Sequence, residues 1–379
     1  MELKHRQRIA LSTFFFLSGF CFASWASRIP TIKSFFNLNE AELGTILFAM
    51  PISSLIGLPI SGWLVARYDS RIPLAIAFIS MASSLAVIGF ATHTYVLVAG
   101  ICVFAFSMRI LNISMNTQAI TLQKQFERKI NGSFHGMWSA GGIAGVGFST
   151  LLIALHVTIQ VHLLIAAIVT IIVTCFTWSF LLHNDRATSG NKLIFSRPDP
   201  YIVYLGLIVF LAAICEGGMF DWSGIFFKEV VRVEVFTIGY LLFMICMAFS
   251  RFASDVVIEN IGMPRTYIMS ASLIFTGDFL AIIFPSFWPS LIGFCLVGLG
   301  TAAIIPMTFL LAGGSKKYSP GMAISIIATY SIVGMLIGPP LIGYIAHAFN
   351  LRMSFIAFAL AGFLIIPISQ LFFKHQQSK

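Results

Sequence analysis

Long apolar runs separated by short polar breaks dominate the chain. The runs lie at about 9–28, 41–66, 72–91, 95–122, 132–157, 160–183, 201–222, 236–258, 264–284, 288–313, 319–346 and 353–373. A helix needs about 20 consecutive apolar residues to cross the hydrocarbon of a bilayer. The pattern therefore predicts twelve transmembrane α-helices, called spans 1 to 12 below. The longest polar break, His183 to Pro200, leaves six runs on each side. This predicts an N-terminal six-helix bundle over 1–183, a cytoplasmic linker over 184–200 and a C-terminal six-helix bundle over 201–379. A basic stretch, Met1 to Arg8, precedes the first run, and Ala23 to Ser27 loosely imitates a leader cleavage site. With so many apolar runs to follow, the first is expected to remain as an uncleaved span.

Placement of the basic residues orients these spans. With the N-terminus inside, sixteen of the 23 lysines and arginines fall in cytoplasmic segments, among them Arg8, Arg67, Arg71, Lys124, Arg265 and Lys374. Outer segments hold Arg28, Lys33, Lys228, Arg232 and Arg352, and only Arg109 and Arg251 lie inside spans. Such a bias predicts both termini in the cytoplasm. A missed or extra helix would scramble it.

Composition narrows the class. The 379 residues are 58% hydrophobic and 10% charged, against roughly 25% charged in an ordinary soluble domain. So few charges cannot clothe a soluble enzyme, a disordered chain or a nucleic-acid module. The net charge of +9 follows from basic cytoplasmic loops and requires no nucleic acid. Cys21, Cys102, Cys175, Cys215, Cys246 and Cys295 all sit in apolar runs at no metal-like spacing, as buried free thiols do. No nucleotide loop, zinc-protease or serine-hydrolase motif is present; Gly313 to Lys317 does not fit the phosphate-loop spacing. No cofactor, metal or enzymatic activity is expected. The expected partners are the lipid bilayer, a small-molecule solute and protons, with the chain acting as a monomer.

The two halves echo each other. Gly141 and Gly145 in span 5 recur as Gly334 and Gly338 in span 11, 193 residues on. The exit of span 2, Gly62 to Asp69, maps at the same offset onto Asp255 to Gly262. Span 2 opens Leu43-Gly44-Thr45-Ile46-Leu47-Phe48 and span 8 opens Ile238-Gly239-Tyr240-Leu241-Leu242-Phe243. Small-residue spacing alone is weak, because membrane helices generally pack through it. Two features at an offset of 193 and a third at 195 indicate two parallel six-helix repeats, and the chain thereby resembles the major facilitator superfamily. That resemblance implies an all-α integral membrane fold of two six-helix bundles. The superfamily's span 2–3 signature is met in part: Gly62, Arg67 and Arg71 are present, with Ala66 where the acid belongs. Glu259 and Gly262 hold the acid and glycine positions in the second half, and Arg109 with Asn112 stands for the span 4 signature.

A narrower likeness covers nearly the whole chain. Phe22 to Pro30 (FASWASRIP), Met115-Asn116-x-Gln118-Ala119, Ser133-Phe134-His135-Gly136-x-Trp138-Ser139, Glu216-Gly217-x3-Asp221-Trp222-Ser223 and Gly338 to Gly343 (GPPLIG) are similar to strings of the YbjJ-type, rhizopine-transporter-like (MosC-type) bacterial permeases. Members often carry an aspartate where this chain has Asn112, which weakens the case for a proton site on span 4. The resemblance implies an inner-membrane permease for a sugar-like or inositol-like solute.

Polar groups at membrane depth are costly and normally face a partner or a watery cavity. Arg109, Asn112 and Asn116, at i, i+3 and i+7, form one stripe on span 4 that hydrocarbon could not satisfy. They are candidate solute ligands, as are Trp25, His135, Trp138 and Glu216; inter-helix glue or a satisfied histidine is the bland alternative. Glu216 and Asp221 on span 7 are the proton-coupling candidates, with a permanent ion pair as the competing possibility for Glu216. Arg28 and Asp221, again 193 residues apart, are candidates for an outer gate. Gly62, Arg67, Arg71, Arg251, Asp255 and Glu259 are candidates for an inner one, with Arg251 and Asp255 neutralising each other at i, i+4. Asp278 on span 9 is a secondary candidate. Pro306, Pro339 and Pro340 are expected to break their helices, and Gly141, Gly145, Gly334 and Gly338 to mediate helix packing.

The expectation is a secondary transporter moving a small polar solute by alternating access. The two bundles would rock about a central site lined by spans 1, 4, 5, 7, 10 and 11. The alternative is a proton-coupled drug or metabolite efflux antiporter, its cavity lined by some of the 38 phenylalanines.

Overall fold

The computed structural model describes residues 3–127, 130–183, 185, 200–315, 317–318 and 320–377. Among these residues every regular element is helical, as expected where lipid leaves backbone groups no partner but the helix itself. The elements of the first half are α1 (Leu3–Ala26), α2 (Ile29–Phe35), α3 (Glu40–Leu47), α4 (Ala49–Arg67), α5 (Arg71–Phe90), α6 (Thr94–Gln123), α7 (Asn131–Ala154) and α8 (Ile159–Thr177). A 3-10 turn, Trp178–Phe180, ends it. The second half holds α9 (Pro200–Glu229), α10 (Ile238–Ile261), α11 (Met263–Ile283), α12 (Phe287–Gly313), α13 (Pro320–Ala348), α14 (Leu351–Ser354) and α15 (Ile356–Gln377). Eleven helical stretches among the described residues are long and apolar enough to cross a membrane, and the shorter apolar stretch Ile238–Ser254 of α10 falls on the remaining expected run.

The described residues form two compact units: Met1–Phe36 with Ala49–Lys192, and Asn37–Phe48 with Leu193–Lys379. The division differs from the contiguous bundles expected from the polar break at one element. Span 2 is interrupted at Phe48, and its first part, α3, packs on α13 of the second unit. A capping box starts α3: the Asn39 side chain accepts from the Glu42 amide, and the Glu42 carboxylate accepts from the Asn39 amide, each at 2.9 Å. Its small face permits the packing, since a side chain at Gly44 would meet the Pro339 carbonyl oxygen and the Gly343 backbone. Thr45 and Tyr344 share a hydrogen bond of 3.1 Å beside that contact. The expected linker, residues 184–200, lies outside the described residues except at its ends.

The internal repeat reappears as repeated packing. In the first unit α7 lies along α1 so closely that Gly141 abuts the Phe16 carbonyl and Gly145 the Phe20 carbonyl. In the second unit α13 lies along α9, with Gly334 against the Phe210 carbonyl. Gly338 is looser there, since a side chain begun at it would come no nearer than 3.8 Å to the Ile214 carbonyl oxygen. Helices that share no hydrophobic drive in lipid gain from such backbone approach.

The prolines correct one expectation. α12 runs unbroken through Pro306, and α13 through Pro339 and Pro340. Neighbouring helices and local adjustment re-satisfy the freed carbonyls in a membrane bundle, so proline need not end a helix there. Gly262 does end one: with φ of +79° it turns the chain from α10 directly into α11, a conformation that favours glycine. The outward faces carry residues such as Ile76, Phe90, Ile168, Phe176, Phe252 and Leu310, all more than a third exposed, as hydrocarbon requires.

Candidate functional site

In the first unit the polar stripe lies on α6. α4 lies against this helix because Gly57 leaves room: a side chain there would meet Cβ of Arg109 at 3.2 Å. The half-buried Arg109 reaches across that gap, and its Nε donates to Ser54 Oγ at 2.8 Å. Its two Nη groups make no bond to the described residues. Asn112 is exposed; Asn116 Nδ2 donates to the Asn112 carbonyl at 2.7 Å and lies 3.4 Å from its Oδ1. The stripe therefore presents a forked cation and amide groups with unused hydrogen-bonding capacity. Ser54 was not a sequence candidate, since a lone serine in an apolar run gives no signal.

The other candidates of this unit are placed differently. His135 is exposed at the start of α7, edge-on to Phe15, and the half-buried Trp138 leans on Phe22. Trp25 is 1% exposed and packed near Phe104. Two nitrogens of Arg28 are bonded within its own unit. Nε donates to His162 Nδ1 at 2.9 Å and Nη2 to the Val157 carbonyl at 2.8 Å. Accepting through Nδ1 leaves the other ring nitrogen, Nε2, 3.3 Å from Ser149 Oγ. These buried bonds tie the end of α1 to α8. His162 was missed because a histidine inside an apolar run looks like any satisfied core histidine.

The residues of the span 2–3 signature form a junction rather than one cluster. Gly62 has nothing within 4 Å of where a side chain would begin, so no close approach depends on it. Arg67 lies over the rings of Trp63 and Tyr68. Arg71 lies 2.6 Å from His183 Nε2, 3.9 Å from Asp69 and over Trp178. The acid missing at Ala66 does not leave this turn without a carboxylate. Asp185, 115 residues beyond Ser70, accepts from the Ser70 amide at 2.9 Å and from the Ser70 hydroxyl at its other oxygen. Gln118 Nε2 donates to Ser70 Oγ at 2.7 Å and its Oε1 accepts from the Leu182 amide at 3.0 Å. Asp185 thus caps the start of α5 and holds the chain that leaves α8. At 5% exposure the lost carboxylate cannot be replaced by water, so Asp185→Ala is expected to lower stability by about 1–3 kcal/mol. A thermal melt in detergent reads this; an unchanged melting temperature would remove the capping role.

In the second unit Glu216 and Arg251 form a salt bridge, Nη2 to Oε1 at 2.9 Å, between α9 and α10. The Glu216 side chain is 8% exposed and that of Arg251 31%. The side chain of Asp255, expected to neutralise Arg251, lies outside the described residues. Glu259 is exposed on the last turns of α10. Asp221 is half-buried beside Tyr240 and makes no hydrogen bond or ion pair to the described residues. Asp278 is buried on α11, and neither of its carboxylate oxygens has a hydrogen-bond partner among the described residues. No group of three or more potential metal ligands occurs among the described residues.

Paired units of membrane-length helices and repeated close helix packing are those of a multi-pass membrane protein. The Major Facilitator Superfamily model matches residues 11–277 and 241–379, and the chain belongs to that superfamily of secondary transporters. It is similar to the membrane protein MosC of Rhizobium meliloti, 28% identical over 374 residues that cover 96% of this chain and 90% of that one. An uncharacterised MFS-type transporter of Yersinia pestis is 28% identical over 351 residues, 92% of this chain and 91% of its own. Among solved structures, a bacterial homolog of the human lysosomal transporter Spinster, inward-facing and occupied, superposes with a TM-score of 0.79 at 15% identity. The match covers 97% of this chain and 96% of that chain. The nucleoside transporter NupG gives 0.75 at 14% identity over 99% and 100% of the two chains. At such identities the solved structures show the shared fold.

Proposed function

We propose that the protein takes up a small polar solute, a sugar-like compound, polyol or related metabolite, across a bacterial inner membrane by alternating access. Protons are coupled through Glu216, and both termini lie in the cytoplasm. The observation that carries the proposal is Arg109, a half-buried guanidinium with one nitrogen bonded to Ser54 and both Nη groups unbonded. A charge at membrane depth with unused donors is suited to a ligand's acceptor oxygens. The amides of Asn112 and Asn116 follow on the same face of α6, and a hydroxyl-rich solute matches donors and acceptors of both kinds. The resemblance to MosC-type permeases supports the same solute class. The buried Glu216–Arg251 pair supports the coupling role, because a proton taken up by Glu216 would remove the charge that holds Arg251.

The test begins with a thermal-shift panel of polyols, sugars, amino sugars and organic acids on the purified protein, since a ligand stabilises the state it binds. The solute so found is then offered to proteoliposomes with an imposed proton gradient. Accumulation in the direction of proton entry supports the proposal; movement against proton entry supports the efflux antiporter instead. Arg109→Gln is expected to weaken binding of that solute by about 10- to 100-fold, the loss of hydrogen bonds from a charged donor. Unchanged affinity in a titration calorimeter would remove Arg109 from the site.

A further inference from the structure

α10 and α11 both pack along α12 but barely touch each other, although Gly262 joins them directly. Between them lies a groove of about 210 Å³. Its walls are Phe249, Ala253 and Val257 of α10 and Met269 and Leu273 of α11, and its floor is Leu299 and Ala303 of α12. Hydroxyls also border it, but three of them are already committed to backbone. Ser250 donates to the Leu299 carbonyl, Ser254 to the Arg251 carbonyl and Thr266 to the Gly262 carbonyl. What they show the groove is mostly carbon. The volume is below the roughly 300 Å³ of pockets that enclose a whole small ligand. From Val257 to Phe249 the groove follows α10 for about 12 Å. A narrow, apolar trough of that length takes a hydrocarbon chain lying along it.

The ends of the groove differ. Phe249, 68% exposed, opens one end on the outer face of α10, and Met269, 39% exposed, opens its side along α11, where the surrounding medium of a membrane transporter is lipid. At the other end stands Arg265, exposed in the first turn of α11 and next to the groove-lining Thr266. Arg265 makes no ion pair or hydrogen bond to the described residues, the nearby exposed Glu259 included. Its helix end is where a long basic side chain reaches the headgroup layer. An apolar trough that ends at an unpaired cation is complementary to an anionic amphiphile.

We propose that this groove binds a bilayer phospholipid, one acyl chain lying between α10 and α11 and the phosphate at Arg265. The contact fills the gap left by the divergence of the two helices and is independent of the solute proposed above.

The test uses the full-length protein in proteoliposomes of phosphatidylethanolamine and phosphatidylglycerol, with a photoactivatable diazirine on an acyl chain of the phosphatidylglycerol. After irradiation, labelled peptides are mapped by mass spectrometry. Labelling is expected to be several-fold higher on Phe249–Val257 and Thr266–Leu273 than on the equally lipid-accessible Ile165, Ile168 and Ile172 of α8. Ala253→Phe, which fills the trough, should bring it down to the α8 level. Arg265→Gln should remove the preference for labelled phosphatidylglycerol over labelled diacylglycerol and leave the trough accessible. Equal labelling of the two faces in the unmodified protein overturns the proposal even if Ala253→Phe does not fold. A preference for anionic lipid that survives Arg265→Gln, or equal labelling by a free fatty-acid probe, overturns the assignment to a phospholipid.

Discussion

Arg251→Leu should destabilise the purified protein by about 3–5 kcal/mol, the usual penalty for stranding one partner of a buried ion pair. The stranded group would be the Glu216 carboxylate, whose side chain is 8% exposed. Glu216→Gln should cost less, because Arg251 is 31% exposed and its long stem can carry the charge toward water. The double variant Glu216→Gln/Arg251→Leu should recover much of the loss, since the buried Glu216 charge is then removed along with its partner. Thermal unfolding of the four proteins forms a double-mutant cycle, and strictly additive losses would show that the pair is not coupled. The same variants test coupling. Glu216→Gln should retain solute exchange down its gradient and lose accumulation driven by a proton gradient. If proton-driven uptake persists while the solute still binds, Glu216 is not the coupling carboxylate.

Gly141→Ala should be the most damaging single methyl in the chain, at a cost of about 3 kcal/mol or more from overpacking. The new Cβ would fall on the Phe16 carbonyl oxygen at a separation that no such atoms adopt. Backbone cannot swing aside as a flexible side chain can, so α1 and α7 would have to part along their shared length. Gly147, six residues on in the same helix, has nothing within 4 Å. Gly147→Ala should therefore stabilise by about 0.5–1 kcal/mol through helix propensity alone. The repeat predicts a second contrast: Gly334→Ala, against the Phe210 carbonyl, should be damaging, and Gly338→Ala, 3.8 Å from the nearest atom, should be tolerated. Melting temperatures and folded yields of these variants decide the matter. A common sign for Gly141→Ala and Gly147→Ala would end the close-packing account.

The fate of individual candidates shows where legibility stopped. Glu216 and Arg251 were each legible as costly charges inside apolar runs, but not as partners. They are 35 residues apart on different helices, and sequence spacing speaks only for neighbours on one helix. The pairing of Arg251 with Asp255, expected at i, i+4, rests on a side chain outside the described residues. The structure gives Arg28 to His162, 134 residues away. Trp25 was a candidate solute ligand, yet its rotation on α1 buries it. Asp185 was passed over as part of a polar break, although it is the carboxylate that reaches the α5 turn.

The sequence by itself determined the class, the spans and the twofold repeat. Those properties depend on composition, on run length against bilayer thickness and on residues recurring at a nearly constant offset, all of which are local or arithmetic. Only the tertiary structure decided which polar groups satisfy one another. It bonded Arg28 to His162, left two nitrogens of Arg109 unspent, broke span 2 at Phe48 and opened a trough between α10 and α11. Each outcome depends on the rotation and approach of helices far apart in the chain. Small residues such as Gly57, Gly141 and Gly44 set that approach, and their effect on distance appears only when the opposing backbone is in place.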